Sequence, residues 1–168
     1  MVYDFEFEMA RAQKLSEKRQ YLDAIVVYSA LIENAAHSYQ VFNKRAHAYA
    51  MSGDWKKAIE DIDAAITLNP NEPAFCFSRA RWLLQGQQFL ESISDLNRLI
   101  ELEKIHNDTY YLESAYFFRA LAYRYLNSPI EVINDCANVS EDFSLYALNG
   151  VQSRKDLVSW ANEVLSEG

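Results

Sequence analysis

The stretch from Tyr39 to Glu72, YQVFNKRAHAYAMSGDWKKAIEDIDAAITLNPNE, holds two runs of helical spacing divided by Gly53-Asp54 and closed by Asn69-Pro70. Ala46 and Tyr49 stand three apart in the first run; Trp55, Ala58, Ile62 and Ala65 follow at steps of 3, 4 and 3 in the second. Both spacings keep their residues on one helix face. Glycine suits the left-handed residue that ends a helix and aspartate the N-cap of the next. The stretch therefore predicts a helix, a tight turn and a second helix, stopped by proline.

Shifting the sequence against itself by 34 residues superposes Arg11-Ala12, Arg45-Ala46 and Arg79-Ala80, and six further residues bring in Arg119-Ala120. Four registers begin at Phe5, Tyr39, Pro73 and Glu113. Their eighth position is always alanine, and their eleventh is large: Leu15, Tyr49, Leu83 and Tyr123. Position 20 holds Ala24, Ala58, Ser92 and Val132, and position 24 holds Tyr28, Ile62, Leu96 and Cys136. Gly86 is placed to end a helix, Ser128-Pro129-Ile130-Glu131 reads as a capping box with proline at the first helical position, and Ser153 to Asp156 reads as another box.

This pattern resembles the tetratricopeptide repeat, with Ala46, Tyr49, Gly53, Trp55, Ala58, Ala65 and Pro70 where the family places small, aromatic and helix-stopping residues. The resemblance implies an all-α, right-handed superhelical solenoid of about four helix-turn-helix repeats plus a C-terminal capping helix. Residues 1–168 then form a single domain: repeats 5–38, 39–72 and 73–106, an insertion at 107–112, a repeat at 113–146 and a capping helix at 153–166. Repeat four departs most, since Pro129, Val132 and Cys136 replace the aromatic, small and large residues; its second helix is expected to be short or tilted.

Composition agrees with helices. Four glycines and three prolines in 168 residues leave little for hairpin meanders or phosphate loops, while 50% hydrophobic residues can fill a sizeable core. The net charge of −8 has the wrong sign for nucleic acid or an anionic membrane surface, so neither is expected as a partner. Cys76 and Cys136 form no metal or disulfide spacing, and residues 1–8 lack the basic and apolar regions of a signal peptide, so a reducing, cytoplasmic location is expected.

In the family, positions 2, 5, 9, 12 and 13 of each repeat face a concave groove, and the resemblance carries that role onto this chain. In repeat one they are Glu6, Met9, Gln13, Ser16 and Glu17, and in repeat two Gln40, Asn43, His47, Ala50 and Met51. Repeat three supplies Ala74, Phe77, Arg81, Leu84 and Gln85; repeat four supplies Ser114, Phe117, Leu121, Arg124 and Tyr125. Phe77, Leu84, Phe117, Leu121 and Tyr125 would make an apolar patch flanked by Arg81 and Arg124, unless the C-terminal helix folds back and buries it. Met9 and Gln13 stand where members that grip chaperone C-termini have lysine and asparagine, which argues against a carboxylate clamp.

Two further features stand out. Arg11, Arg45, Arg79 and Arg119 recur at position 7 and Asp61, Asp95 and Asp135 at position 23, a pattern expected of inter-helix ion pairs rather than an anion track; Arg11 has Val27 at the matching position and needs another acceptor. The insertion Asn107-Asp-Thr-Tyr-Tyr-Leu112 either begins the following helix early, projecting Tyr110, Tyr111 and Leu112 toward a partner, or tucks against the preceding helix. Charge concentrates beyond residue 106, with −5 there against −3 before it, so a basic partner could be steered to that end.

His37, His47 and His106 are scattered and join no catalytic or metal motif, and no nucleophile elbow, dinucleotide or phosphate loop occurs. No enzyme activity, cofactor or metal is expected. The sequence points to a protein-interaction module, an adaptor, dedicated chaperone or neutralising partner, that captures a basic or apolar segment in its groove. Phe77 and Phe117 would anchor it, Arg81 and Arg124 orient acidic or carbonyl groups, and Asn43 and His47 bond its backbone. The alternatives are self-association of a monomer into a weak homodimer, and a regulatory subunit for an enzyme encoded elsewhere.

Overall fold

A computed structural model describes residues 4–34, 38–147 and 150–167; His37 lies outside the described residues. The order is α1 (Phe5–Glu17), α2 (Tyr21–Glu33), α3 (Tyr39–Ser52), α4 (Trp55–Leu68), α5 (Pro73–Gln85), α6 (Phe89–His106), α7 (Leu112–Tyr125), α8 (Pro129–Cys136), β1 (Ser144–Ala147), β2 (Gly150–Ser153) and α9 (Arg154–Glu167). The fold is an all-α helical repeat with one small hairpin added. That hairpin pairs β1 with β2 antiparallel, Tyr146 opposite Val151, and is absent from the sequence expectation.

The turns inside the repeats share one device. Arg19, Gly53, Gln87 and Asn127, all at position 15 of their registers, have φ of 60°, 89°, 61° and 55°. A left-handed residue reverses the chain between the paired helices, and the repeat demands it whatever side chain is present. In the third repeat it is therefore Gln87, not Gly86, that takes this conformation. Asp54 accepts the Lys57 N–H at 3.2 Å as an N-cap, and Ser153 caps α9 by accepting the Asp156 N–H at 3.1 Å. Pro129 does open α8, but Ser128 makes no side-chain cap bond, so the expected capping box there is not formed. At eight residues α8 is short, as its irregular sequence suggests.

The chain divides into two compact units, Met1–Phe75 and Cys76–Gly168. In the first, α1, α2, α3 and α4 pack each on the next around Ala12, Ala24, Tyr28, Leu31 and Val41. In the second, α6, α7, α8 and α9 enclose a core that includes Ala80, Leu84, Leu96, Phe117, Leu121, Val132 and Leu157. All four alanines at position 8, and all four residues at position 20, are fully buried. In the first three repeats small residues at both positions let paired helices approach closely; where position 20 is serine, its hydroxyl is satisfied, Ser92 Oγ donating to the Ala80 carbonyl at 2.9 Å.

Three arginines at position 7 bind the aspartates at position 23. Arg45 grips Asp61 through two bonds of 2.7 Å, Arg79 grips Asp95 at 2.7 and 2.5 Å, and Arg119 grips Asp135 at 2.9 and 2.5 Å. The spare guanidinium nitrogen reaches the previous repeat at position 25: Arg45 Nη1 donates to Ser29 Oγ at 3.0 Å and Arg119 Nη1 to Asn97 Oδ1 at 2.5 Å. Arginine thus clips one repeat to the next, which a leucine cannot do. Arg11, with Val27 in place of the aspartate at position 23, pairs with Glu8 one turn earlier in α1 at 2.9 Å.

Candidate functional site

In the first unit, α1, α2 and α3 leave a cleft of about 380 Å³. Gln13, Ser16 and Glu17 line it from α1, Tyr21 and Tyr28 from α2, and Asn43, Lys44, His47, Ala48 and Met51 from α3. Six of these are positions that the family resemblance assigns to a groove: Gln13, Ser16, Glu17, Asn43, His47 and Met51. Met51 is 62% exposed at the cleft, whereas Tyr28 is buried, hydrogen-bonded to Ser16, and raised in pKa chiefly by burial. Asn43 Oδ1 is shielded from solvent and has no hydrogen-bond partner. Leaving a shielded acceptor unpaired costs about 1–3 kcal/mol, so this amide is held at some expense beside the cleft.

The second unit rearranges the expected patch. Phe117 and Leu121 are fully buried and Leu84 nearly so, which corrects their assignment as groove contacts. The reason is the C-terminal segment: Phe143 lies 5.1 Å from the Phe117 ring, and Leu157 and Ala161 of α9 complete the same core. Arg124 is also drawn into this contact, with Nη1 donating to Gln152 Oε1 at 3.3 Å and its guanidinium 5.8 Å from the Trp160 ring. Tyr125 stacks on Phe89 of α6, 4.9 Å between centroids and 6° from parallel, while remaining half exposed.

Phe77 and Arg81 keep a surface, and the insertion joins them there. The insertion does not lengthen α7. It extends α6 to His106, and Asn107 ends that helix with φ 53°. Asp108 Oδ1 then accepts the Thr109 and Tyr110 N–H groups at 2.7 and 3.1 Å, and the buried Glu103 carboxylate accepts the Tyr111 N–H at 2.9 Å. The loop is thereby tucked against the preceding helix. Tyr110 is 78% exposed, but Tyr111 and Leu112 are partly buried and do not project.

This turn sets Tyr111 4.8 Å from Phe77, with Tyr110 edge-on to Tyr111 at 4.7 Å and Phe118 beneath Phe77 at 5.8 Å. The Arg81 guanidinium lies 5.5 Å from the Phe77 ring and 5.6 Å from Phe118. Desolvation against these rings draws its pKa below the usual arginine value. Sequence reasoning named Phe77, Arg81, Tyr110 and Tyr111 as two separate features; it missed Glu103, the buried acid that brings them together.

Residues 39–72 match the family profile described as tetratricopeptide repeat. That segment carries a tetratricopeptide repeat, and the chain shares the fold of tetratricopeptide-repeat proteins. Sperm-associated antigen 1 of Rattus norvegicus is 28% identical over 83 residues, a match spanning 49% of this chain and 9% of that relative. Among solved structures, MamA superposes with a TM-score of 0.79 at 16% identity, covering 99% of this chain and 85% of its own. The type III secretion chaperone SycD of Yersinia enterocolitica, in complex with a peptide of the translocator YopD, gives a TM-score of 0.65 at 22% identity over 72% of this chain and 93% of its own. At these identities the solved structures show that the repeat fold is shared.

Among the described residues, no cluster of three or more His, Cys, Asp or Glu could hold a metal, and no helix is long and apolar enough to cross a membrane. Cys76 and Cys136 are buried; burial pushes the Cys76 thiol up and the Cys136 thiol to about 11, which keeps both protonated and poorly nucleophilic near neutral pH.

Proposed function

We propose that this chain acts, without catalysis of its own, by capturing a peptide or helix of a partner protein, as an adaptor or dedicated chaperone would. The observation that carries the reading is the cleft of the first unit, where Asn43 Oδ1 is shielded and unpaired beside His47 and Met51. On capture the Asn43 amide would turn its oxygen into the cleft to accept a partner's backbone N–H, and an apolar side chain can rest on Met51, whose unbranched thioether adapts to varied shapes. The SycD complex with a translocator peptide supports the reading by likeness of fold, as does the yeast Sti1 domain in complex with an Hsp70 peptide, each matched over most of its length.

Phe117 has no part in this capture, because it is core. Wild-type and Asn43→Ala/Met51→Ala chains should be used side by side for affinity purification from the native host, followed by titration of the recovered partner's segment. The double variant should bind more than about tenfold more weakly, a loss of roughly 1.4 kcal/mol, with an unchanged far-UV spectrum. Equal affinity would refute the cleft as the capture site.

A further inference from the structure

We infer that α1 is a self-association face, on which the α1 of a second copy of this chain lies antiparallel across a two-fold axis. Asp4, Phe7, Arg11, Lys14 and Lys18 follow one another at steps of 3, 4, 3 and 4, the spacing of a seam between two helices. This seam lies away from Met9 and Ala12, through which α1 packs on the core of its own unit. Phe7 is 64% exposed on it. At the same position of the later repeats Val41, Phe75 and Ala115 are all buried, Val41 in a core shared with α2 and Ala115 in one shared with α6. The face that later repeats cover is therefore open on α1 among the described residues.

Charge decides what covers it. Position 10 of the later repeats holds Ala48, Trp82 and Ala122, all buried. In α1 that position is Lys14, which is exposed. A further repeat stacked in the same register would bury this ammonium without a counter-ion, whereas a carboxylate set opposite would pair it. The helix carries such carboxylates itself: Asp4, Glu6 and Glu8 lie toward its N-terminal end, and Arg11, Lys14 and Lys18 toward its C-terminal end. An antiparallel copy brings opposite charges together twice, the self-complementarity that a two-fold interface requires, while a parallel copy would set like charges side by side. Centred on residue 9, the antiparallel seam sets Asp4 against Lys14 of the second copy and Phe7 against its Arg11. Asp4 Oδ1 accepts the Phe7 N–H at 3.1 Å, and its other carboxylate oxygen serves the lysine. Arg11 keeps its bond to Glu8 while its stem and guanidinium lie over the opposed phenylalanine ring. One pair of 13-residue helices buries less than a standard interface, so the dimer is weak, with a dissociation constant on the order of 100 µM. The face is separate from the Asn43 cleft, which takes Gln13, Ser16 and Glu17 from another side of α1, so peptide capture stands or falls independently.

The test is sedimentation equilibrium of the full chain from about 10 µM to about 1 mM, which should show a monomer–dimer equilibrium weakened several-fold by salt of about 0.5 M. Phe7→Ser should weaken the dimer at least about tenfold with an unchanged far-UV spectrum, because Phe7 is exposed in the monomer. Asp4→Asn keeps an N-cap and should weaken it several-fold through charge alone. Lys14→Glu and Asp4→Lys should each abolish self-association, since each sets like charges across the seam at both ends. An equimolar mixture of those two variants should associate again, because the lysine introduced in one then meets the glutamate introduced in the other, and lost helix structure could not produce that recovery. A chain that stays monomeric at about 1 mM would overturn the inference and leave the face to a partner of another kind. A dimer that Phe7→Ser, Asp4→Asn and Lys14→Glu leave unchanged would assign self-association to a different surface and overturn it equally.

Discussion

Arg45 holds Asp61 through two parallel bonds of 2.7 Å, with the arginine side chain 17% and the aspartate 8% exposed. The aspartate raises the Arg45 pKa, by hydrogen bonding first and then by charge, against an opposing loss from burial. Because both charges are largely desolvated, removing one strands the other. Asp61→Ala should therefore destabilise the chain by about 3–5 kcal/mol, whereas the Arg45→Leu/Asp61→Leu pair should come within about 1 kcal/mol of wild type. Urea unfolding of the single and double variants measures the difference. A single variant as stable as the double would mean that the pair has no coupling.

The left-handed turn residues give a prediction of opposite sign. Arg19 and Gln87 adopt φ near +60° despite carrying side chains, at a cost of about 1 kcal/mol each that glycine does not meet. Arg19→Gly and Gln87→Gly should each raise stability by about 0.5–1 kcal/mol. Gly53→Ala should lower it by a similar amount through backbone strain alone, because an added Cβ at Gly53 meets nothing within 4 Å. Thermal melting of the three variants tests both signs in one host.

These turns also mark where the sequence was legible. The 34-residue recurrence located the buried positions 8, 20 and 24 and the arginine–aspartate register, because close helix packing tolerates few residue types at those points. It did not reveal that position 15 is left-handed, since only Gly53 of the four residues there betrays the angle. The hairpin escaped for a different reason. Asn149-Gly150 is a strong hairpin signal, but it falls where the repeat pattern ends, between the expected fourth repeat and the capping helix. Burial of Phe117 and Leu121 is the alternative that a folded-back C-terminal segment left open, and Phe143, Leu157 and Ala161 realise it. Helical spacing says which face a residue shares; only the path of residues 143–161 decides whether that face is covered.

Cys136 supplies a pH test. Its thiol is pushed up to about 11 in the folded chain, principally by burial, while an unfolded thiol ionises near 8.5. A raised folded pKa means that the unfolded state loses its proton first. The contribution is thus complete below about pH 8.5 and is lost as pH rises toward 11. The melting temperature should fall across that window, and Cys136→Ala should flatten the fall after its own constant packing loss is subtracted. At pH 8 a thiol reagent should modify Cys136 far more slowly in the native chain than in urea.

Phe77 and Phe117 occupy the same position of successive repeats, yet they should behave differently. Phe117 is fully buried among Phe118, Phe143 and the rest of the second unit's core, and truncation leaves a cavity that these neighbours can only partly fill. Phe117→Ala should cost about 3–5 kcal/mol in urea unfolding. Phe77 is only partly buried and meets Tyr111, Phe118 and Arg81 at one edge of that core, so Phe77→Ala should cost less than half as much. Equal losses would mean that Phe77 is sealed in the core as Phe117 is, and that α5 offers no aromatic surface to a partner.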